Sequence, residues 1–342
     1  MNIEKRKNRW REFYKLGSGT NTLVLIDYLY PERPWPYPEN MAKRLAWASD
    51  SYQFQLCNME WLNDDRIPSL NPYTGTELFA EAFGCEVHYS GDNMPFACPK
   101  ISSASQVAAI KPPKIFDSCL GDIFELGRRL RQRNGSDAVL HIPDIQSPLD
   151  IAALIWDKAS LFTAMLEDPP AVFALTEMIE NTLVDFLDAW FKEFGTEFIS
   201  HYPDYYMDGG ITVSEDEIGS FGTAMFEEFC LGALNRLSLR YGGIGVHCCA
   251  NAKHQWEGLK MISGLRMLNF VQPPDKTIEA YQSFADTTPM MHFWCGDGLP
   301  SLEWIENYPK NAHIVLNGFA ANRDDAYEMC QAMKSIEEAR KQ

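Results

Sequence analysis

Runs of apolar residues separated by helical, amphipathic stretches set the organisation of this chain. Ala138–Ile142 is five consecutive apolar-rich positions, short and rich in branched side chains, as a strand buried on both faces requires. Four further runs of this kind follow at Gly245–Cys248, Met267–Val271, Met290–Trp294 and Ile314–Leu316. Helical spacing fills the intervals at His254–Ile262, Ile278–Asp286, Leu302–Asn307 and Asp324–Glu338. Earlier helices are expected at Ser118–Asn134, from Ser147-Pro148-Leu149-Asp150, from Asp168-Pro169 to about Phe194, and around Thr223–Tyr241. Ser147 reads as an N-cap, Pro148 fits the first helical position, and Asp150 suits the free N–H groups of that first turn.

With Thr22–Asp27, a strand near 54–59 and one near Phe198–His201, the count reaches about eight strands in alternation with helices. That beat implies a parallel sheet, open and doubly wound or closed as a (β/α)8 TIM barrel. No Gly-x-Gly-x-x-Gly follows the first strand, and Gly242-Gly243-Ile244-Gly245 precedes a strand instead. That is the wrong polarity for a dinucleotide turn, which favours the barrel. Proline-dense text such as Tyr30–Pro38 makes residues 1–100 read as a loop-rich, irregular N-terminal segment contributing to the barrel. Residues 101–342 then form the main part of a single (β/α)8 barrel.

Composition narrows the class. Of 342 residues, 46% are apolar and 23% charged, an ordinary globular mixture. The formal charge of −17 disfavours nucleic acid, whose phosphates need clustered Lys and Arg. No apolar run approaches the roughly 18 to 20 residues of a membrane span, and nothing resembles a secretory signal, so a cytoplasmic protein is expected. Nine cysteines in such a chain read as reduced thiols. Cys57, Cys85, Cys98, Cys119, Cys230 and Cys330 sit among apolar neighbours as small core residues.

A barrel places its chemistry on the loops after the strands. The strand ends offer Asp27, Asp144 with Gln146, His201 with Asp204, His247-Cys248-Cys249, Gln272, Cys295 with Asp297, and Asn317. Alternation along a strand turns His247 and Cys249 to one side and Cys248 to the other. An imidazole and a thiolate so placed suit zinc, with Cys295 as a third ligand, or they simply pack in the interior. Asp144 and Gln146 share an alternation that aims both at the barrel mouth, where they hold a polar substrate or tie down the loop. Asp297 is a ligand or substrate contact, or part of a Gly-Asp-Gly turn. The cluster Ser214-Glu215-Asp216-Glu217 reads foremost as carboxylates favouring a helix N-terminus. The aromatic segment His201–Tyr206 forms a substrate wall or a packed loop.

Read together, Pro143-Asp-Ile-Gln-Ser-Pro-Leu-Asp150, Leu166-Glu-Asp-Pro169, Thr74-Gly-Thr-Glu77, Met225-Phe-Glu-Glu-Phe229 and the strand ending in His247-x-Cys249 resemble the uroporphyrinogen decarboxylase superfamily. The resemblance spans roughly residues 65 to 335 and implies a (β/α)8 barrel. True uroporphyrinogen decarboxylases hold eight substrate carboxylates with an arginine-rich N-terminal segment, whereas Leu25–Tyr30 here has no arginine. The chain is more similar to the methylcobalamin:thiol methyltransferase branch. That resemblance implies zinc on His247 and Cys249, a corrinoid carried on a partner protein, and transfer of a methyl group to a thiol or similar acceptor. The branch's third ligand, a C-terminal Cys, is replaced here by Phe319 within Asn317-Gly318-Phe319-Ala320. The expected site is therefore Asp27, Asp144 and Gln146 as catalytic groups, Asp297 and Asn317 as cofactor contacts, and His247, Cys249 and Cys295 on the metal. A homodimer fits the fold. Two alternatives remain open: a metal-free decarboxylase or lyase using Asp27 or Asp144, and a non-catalytic ligand-binding barrel.

Overall fold

The structure is a computed structural model that describes residues 1–28, 32–292 and 308–341. Its strands are β1 (Thr22–Tyr28), β2 (Ser69–Leu70), β3 (Glu86–His88), β4 (Phe96–Cys98), β5 (Val139–Leu140), β6 (Ile199–His201), β7 (Tyr205–Met207), β8 (Ile211–Ser214), β9 (Ile244–Cys248), β10 (Leu265–Phe270), β11 (Met290–His292) and β12 (Ile314–Ala320). Six run parallel in the order β1-β12-β11-β10-β9-β8, and β2 pairs in parallel with β5. A parallel bridge from Gln146 to Ser214 joins the β5 segment to β8, and the Asp65 N–H donates to the Val24 carbonyl at 2.7 Å beside β1. The ring closes as a (β/α)8 barrel whose strand order follows the chain, and β3–β4 form an outlying antiparallel ribbon.

Alternation along β1 divides the core. Leu23 and Leu25 point into the barrel with Ile67, Val139, Met267, Met291 and Val315, while Val24 and Ile26 face the helices outside. The helix Ile3–Phe13 closes the bottom, where its Trp10 and Phe13 enter the interior cluster. A hairpin of β6 and β7 is inserted beside the β5 segment, with Ser200 bridged to His141, and carries Tyr205, Tyr206 and Met207 into the same interior. Gly245 is required by this plug: a Cβ there would stand 1.8 Å from the Tyr205 hydroxyl.

Near β1, side chains take over part of the strand pairing. Asp65 Oδ2 accepts from the Val24 N–H at 2.8 Å and Asp64 Oδ2 from the Ile26 N–H at 3.2 Å. Both carboxylates are buried, and cations answer each one. Arg6 meets Asp64 at 2.7 Å, while Arg9 and Lys334 meet Asp65 at 2.5 and 2.7 Å. Arg6 comes from the N-terminal helix and Lys334 from the C-terminal helix Arg323–Arg340, so both ends of the described chain are fastened to this seam.

Several expectations need correction. The strand expected near 54–59 is helix, because Met41–Asn58 continues through it, and the second barrel strand is β2. The segment to residue 100 is less irregular than its prolines imply, holding the helices Ile3–Phe13 and Met41–Asn58. A separate helix, Lys158–Glu167, precedes Pro169–Phe194, and the helix expected at Thr223–Tyr241 is interrupted at Cys230. Cys57 is exposed and Cys98 and Cys119 are half-buried, so these three are not core residues. The helix expected at Leu302–Asn307 and residues 293–294 of the expected Met290–Trp294 strand lie outside the described residues. Among the described residues no helix is long and apolar enough to cross a membrane.

The seam yields a first prediction. Asp65→Ala leaves Arg9, Lys334 and the Val24 N–H without their buried acceptor, and should lower unfolding free energy by about 3 to 5 kcal/mol. Urea unfolding of wild type and variant measures it, and a loss under about 1 kcal/mol would remove the seam's importance.

Candidate active site

Strand β9 ends at the mouth with His247 buried on the inner side, Cys248 buried among the outer core, and Cys249 exposed. The parallel neighbour β10 sets Asn269 beside His247 in register. The Asn269 amide N–H donates to the Met291 carbonyl at 2.8 Å, which aims its oxygen at His247 Nδ1, 2.5 Å away. Nδ1 therefore carries the proton and Nε2 presents its lone pair. Burial lowers the His247 pKa, keeping the ring neutral as a metal ligand must be.

A third donor comes from across the β8–β9 pair. Asp216 follows β8, and its Oδ1 accepts from the Cys249 N–H at 2.6 Å. One donor atom each from Asp216, His247 and Cys249 lies within 4.8 Å of the others. Donors on a tetrahedral zinc stand about 3.5 Å apart, a spacing inside the 4.8 Å within which these three atoms lie. Oxygen, nitrogen and sulfur donors with a fourth position left over match a catalytic zinc site, so the residues fit that ion. Burial first, then Asp216, push the Cys249 thiol up to about 12, so ionising it requires a cation at the site.

The Asp216 loop is held from below. Asp150 accepts from the N–H groups of Asp216 and Glu217 at 2.6 and 3.2 Å, while its own N–H donates to the Ser147 hydroxyl at 3.1 Å. The Ser-Pro-Leu-Asp segment thus caps its helix as expected, but its carboxylate serves a neighbouring loop rather than its own first turn. Asp216 likewise departs from the expected part of a helix-terminal charge: it makes no side-chain cap and turns to Cys249. Glu215, facing the other way, is fully buried, and burial pushes it up to about 8.

Asp144 lies at the mouth, where the Ser214 hydroxyl donates to it at 3.4 Å, and Gln146 is buried two residues on. Desolvation, then the charge of Asp216, push Asp144 up to about 7. Asp27 is elsewhere on the rim, paired with Arg66 at 2.6 Å and receiving the Asn317 amide at 3.5 Å. Arg66 also reaches Asp204 at 3.4 Å. Asp27, Arg66 and Asp204 border a cavity of about 520 Å³ whose wall includes Tyr202. The Tyr202 ring packs edge-on against His247 with 4.8 Å between centroids, so the cavity and the donor triad share this side chain. Phe319 stands half exposed on the far rim. His201, by contrast, is buried in the interior, where it meets the Thr212 hydroxyl. Cys295 and Asp297 lie outside the described residues. His254 bonds to the Phe221 carbonyl.

A model of the uroporphyrinogen decarboxylase family matches residues 73–273, more than half of the chain. The chain belongs to the uroporphyrinogen decarboxylase family. The matched span contains Asp144, Asp150, Asp216, His247 and Cys249, whereas Asp27 and Asn317 lie outside it. Among solved structures, a methyltransferase from Methanosarcina mazei shares the fold of this family member, with a TM-score of 0.67 over 98% of each chain at 12% identity. No protein with a curated description matches the sequence.

The mouth of this family member yields a second prediction. An acid whose pKa rises on folding binds its proton more tightly when folded. Asp144 therefore makes stability fall as pH rises from about 4 to about 7. Asp144→Asn should flatten that decline relative to wild type in denaturant titrations at pH 5 and 7.5. Equal slopes in the two proteins would contradict a carboxyl held protonated at Asp144.

Proposed function

We propose that this chain is a zinc-dependent methyltransferase, moving a methyl group between a corrinoid on a partner protein and a thiol or similar acceptor. The observation that carries this reading is the convergence of Asp216, His247 and Cys249 at the barrel mouth, with Asn269 fixing the imidazole. Zinc bound there would supply Lewis acidity, lowering the pKa of an acceptor S–H or O–H at its open position. The surroundings divide the remaining work. Asp216 and Cys249 are braced against each other, and Asp150 keeps the Asp216 loop in place. Asp144, with a carboxyl poised near neutral pH, exchanges the acceptor's proton, and Gln146 lies buried two residues on. Asn317 donates to Asp27 on the cavity rim, through which it would bear on a bound partner group. The family relation and the likeness of fold to a methyltransferase support this reading.

Decarboxylation of a porphyrinogen finds less support at the mouth. A substrate with eight carboxylates needs a cationic lining, but Arg66 is already shared between Asp27 and Asp204. The same pairing spends the charge with which Asp27 would stabilise a protonated intermediate in a metal-free lyase.

Elemental analysis of protein purified without a chelating column tests the proposal. Wild type should carry about one zinc per chain, and His247→Ala, Asp216→Ala and Cys249→Ser should each lose most of it, in line with a three-ligand site. Cys295→Ser, measured alongside, tests whether Cys295 rather than Asp216 supplies the third ligand. Wild type that takes up no zinc, even when supplied with it, would sink the proposal.

A further inference from the structure

A second cavity, of about 280 Å³, lies at the bottom of the barrel, among the helix Ile3–Phe13, the β6–β7 hairpin and the start of β10. Its deep side is apolar: Trp10, Phe198, Tyr206 and Met207 line it, and all four are buried. Its outer side is charged. Arg11, Lys15 and Arg266 line it with a single acid, Asp208, an excess of cations in a chain whose formal charge is −17.

These charges pair off one by one. Arg11 Nε meets the Asp208 carboxylate at 2.5 Å, and Lys15 Nζ meets Glu12 at 2.6 Å. Asp208 offers Arg266 its backbone carbonyl, at 2.8 Å, and no carboxylate forms an ion pair with that guanidinium among the described residues. The lining therefore carries one positive charge beyond its pairs, on Arg266. This guanidinium lies over the Tyr14 ring, 5.0 Å from the centroid. Stacking fixes its plane, and five N–H donors are more than one carbonyl can use.

Backbone strain marks the same place. Phe198 has a φ of 55°, a left-handed conformation that a bulky residue adopts only where its surroundings impose it. Its ring stacks on Tyr206 with 6.2 Å between centroids, and Arg11 lies 5.4 Å from it. Strained positions of this kind gather at ligand sites.

Charge and shape then select the ligand. A monoanion cancels the charge of Arg266, a dianion overshoots it, and a cation is repelled. A planar carboxylate meets the guanidinium by parallel N–H···O bonds. Aromatic walls favour a ring over a saturated body. The volume falls just below the roughly 300 Å³ at which pockets for drug-sized ligands begin, which sets the size at one or two rings. We propose that this bottom cavity is a second binding site, for a small aromatic monocarboxylate, with its carboxylate on Arg266 and its ring among Tyr14, Phe198 and Tyr206. The site is separate from the barrel mouth and does not depend on a metal there.

Isothermal titration of the full chain compares cinnamate, the neutral cinnamamide, the diacid para-carboxycinnamate and the cyclohexyl analogue of cinnamate. Cinnamate should bind once per chain, and the other three about tenfold or more weakly. Arg266→Gln should weaken cinnamate by about tenfold or more and abolish its advantage over the amide, and Arg266→Lys should restore part of the loss. Lys15→Glu, on the exposed rim, should weaken it by about threefold or more, because it adds negative charge beside the site without touching the core. Absence of saturable cinnamate binding would overturn the proposal, as would any of the other three compounds binding as tightly as cinnamate. So would unchanged affinity in Arg266→Gln or, should that variant fail to fold, in Lys15→Glu.

Discussion

The run Asp64-Asp65-Arg66 is the constraint on which the rest of this molecule depends. Parallel strands need a donor and an acceptor at every step, yet the lead-in to β2 meets β1 partly through two carboxylates bound to the Val24 and Ile26 N–H groups. Buried carboxylates are tolerated only with cations beside them, and these come from Arg6, Arg9 and Lys334. The same geometry fixes the next residue. With Asp64 and Asp65 committed to the seam, Arg66 is directed to the mouth, where it joins Asp27 of β1 to Asp204 of the inserted hairpin. Closure of the barrel and pairing of its rim carboxylates are thus parts of one arrangement.

On the opposite wall, register rather than charge does the organising. Because β9 and β10 run in parallel with His247 opposite Asn269, the amide reaches the ring without any loop to position it. Because β8 lies on the other side of β9, the residue two past its end meets Cys249. A mouth built this way keeps donors on stiff strand ends and leaves the variable loops to shape the cavity, the division expected of a barrel.

Much of this was legible in the sequence, for physical reasons that differ by element. Long buried strands such as β1, β9, β10 and β12 announce themselves because both of their faces are apolar, and the alternation that separates Cys248 from His247 and Cys249 follows from the pleat. The two-residue strand β2 carries no such signal, and its neighbour Met41–Asn58 has enough apolar residues to imitate a strand at its end. Asp216 was legible only as a charge near a helix start, since nothing local reveals that β8 will lie against β9. Asp150 shows the same limit: a carboxylate in a first turn looks self-sufficient until a second backbone arrives to use it. Tyr205 is the subtler case. Its burial is foreshadowed by Gly245, but a glycine announces a missing side chain without naming what fills the space.

The proposed ligand set would also account for a departure that otherwise looks like a loss. Where the resemblance to thiol methyltransferases implies a His, a Cys and a second Cys, the chain has Phe319 at the position of the second thiol, half exposed on the cavity rim. Asp216 would supply an anionic donor from another strand end, so the set of one imidazole and two ionisable acids would keep its formal charge of about −2 with a metal bound. What changes is position and softness. The anionic donor moves to the β8 side, beside Asp144, and an oxygen replaces a sulfur, which is less selective for soft ions. The rim vacated by the thiol becomes apolar surface for the cavity. In the proposed reading Phe319 makes one edge of the mouth apolar where the resemblance implies a thiol donor, and Asp216 would supply the donor in its place.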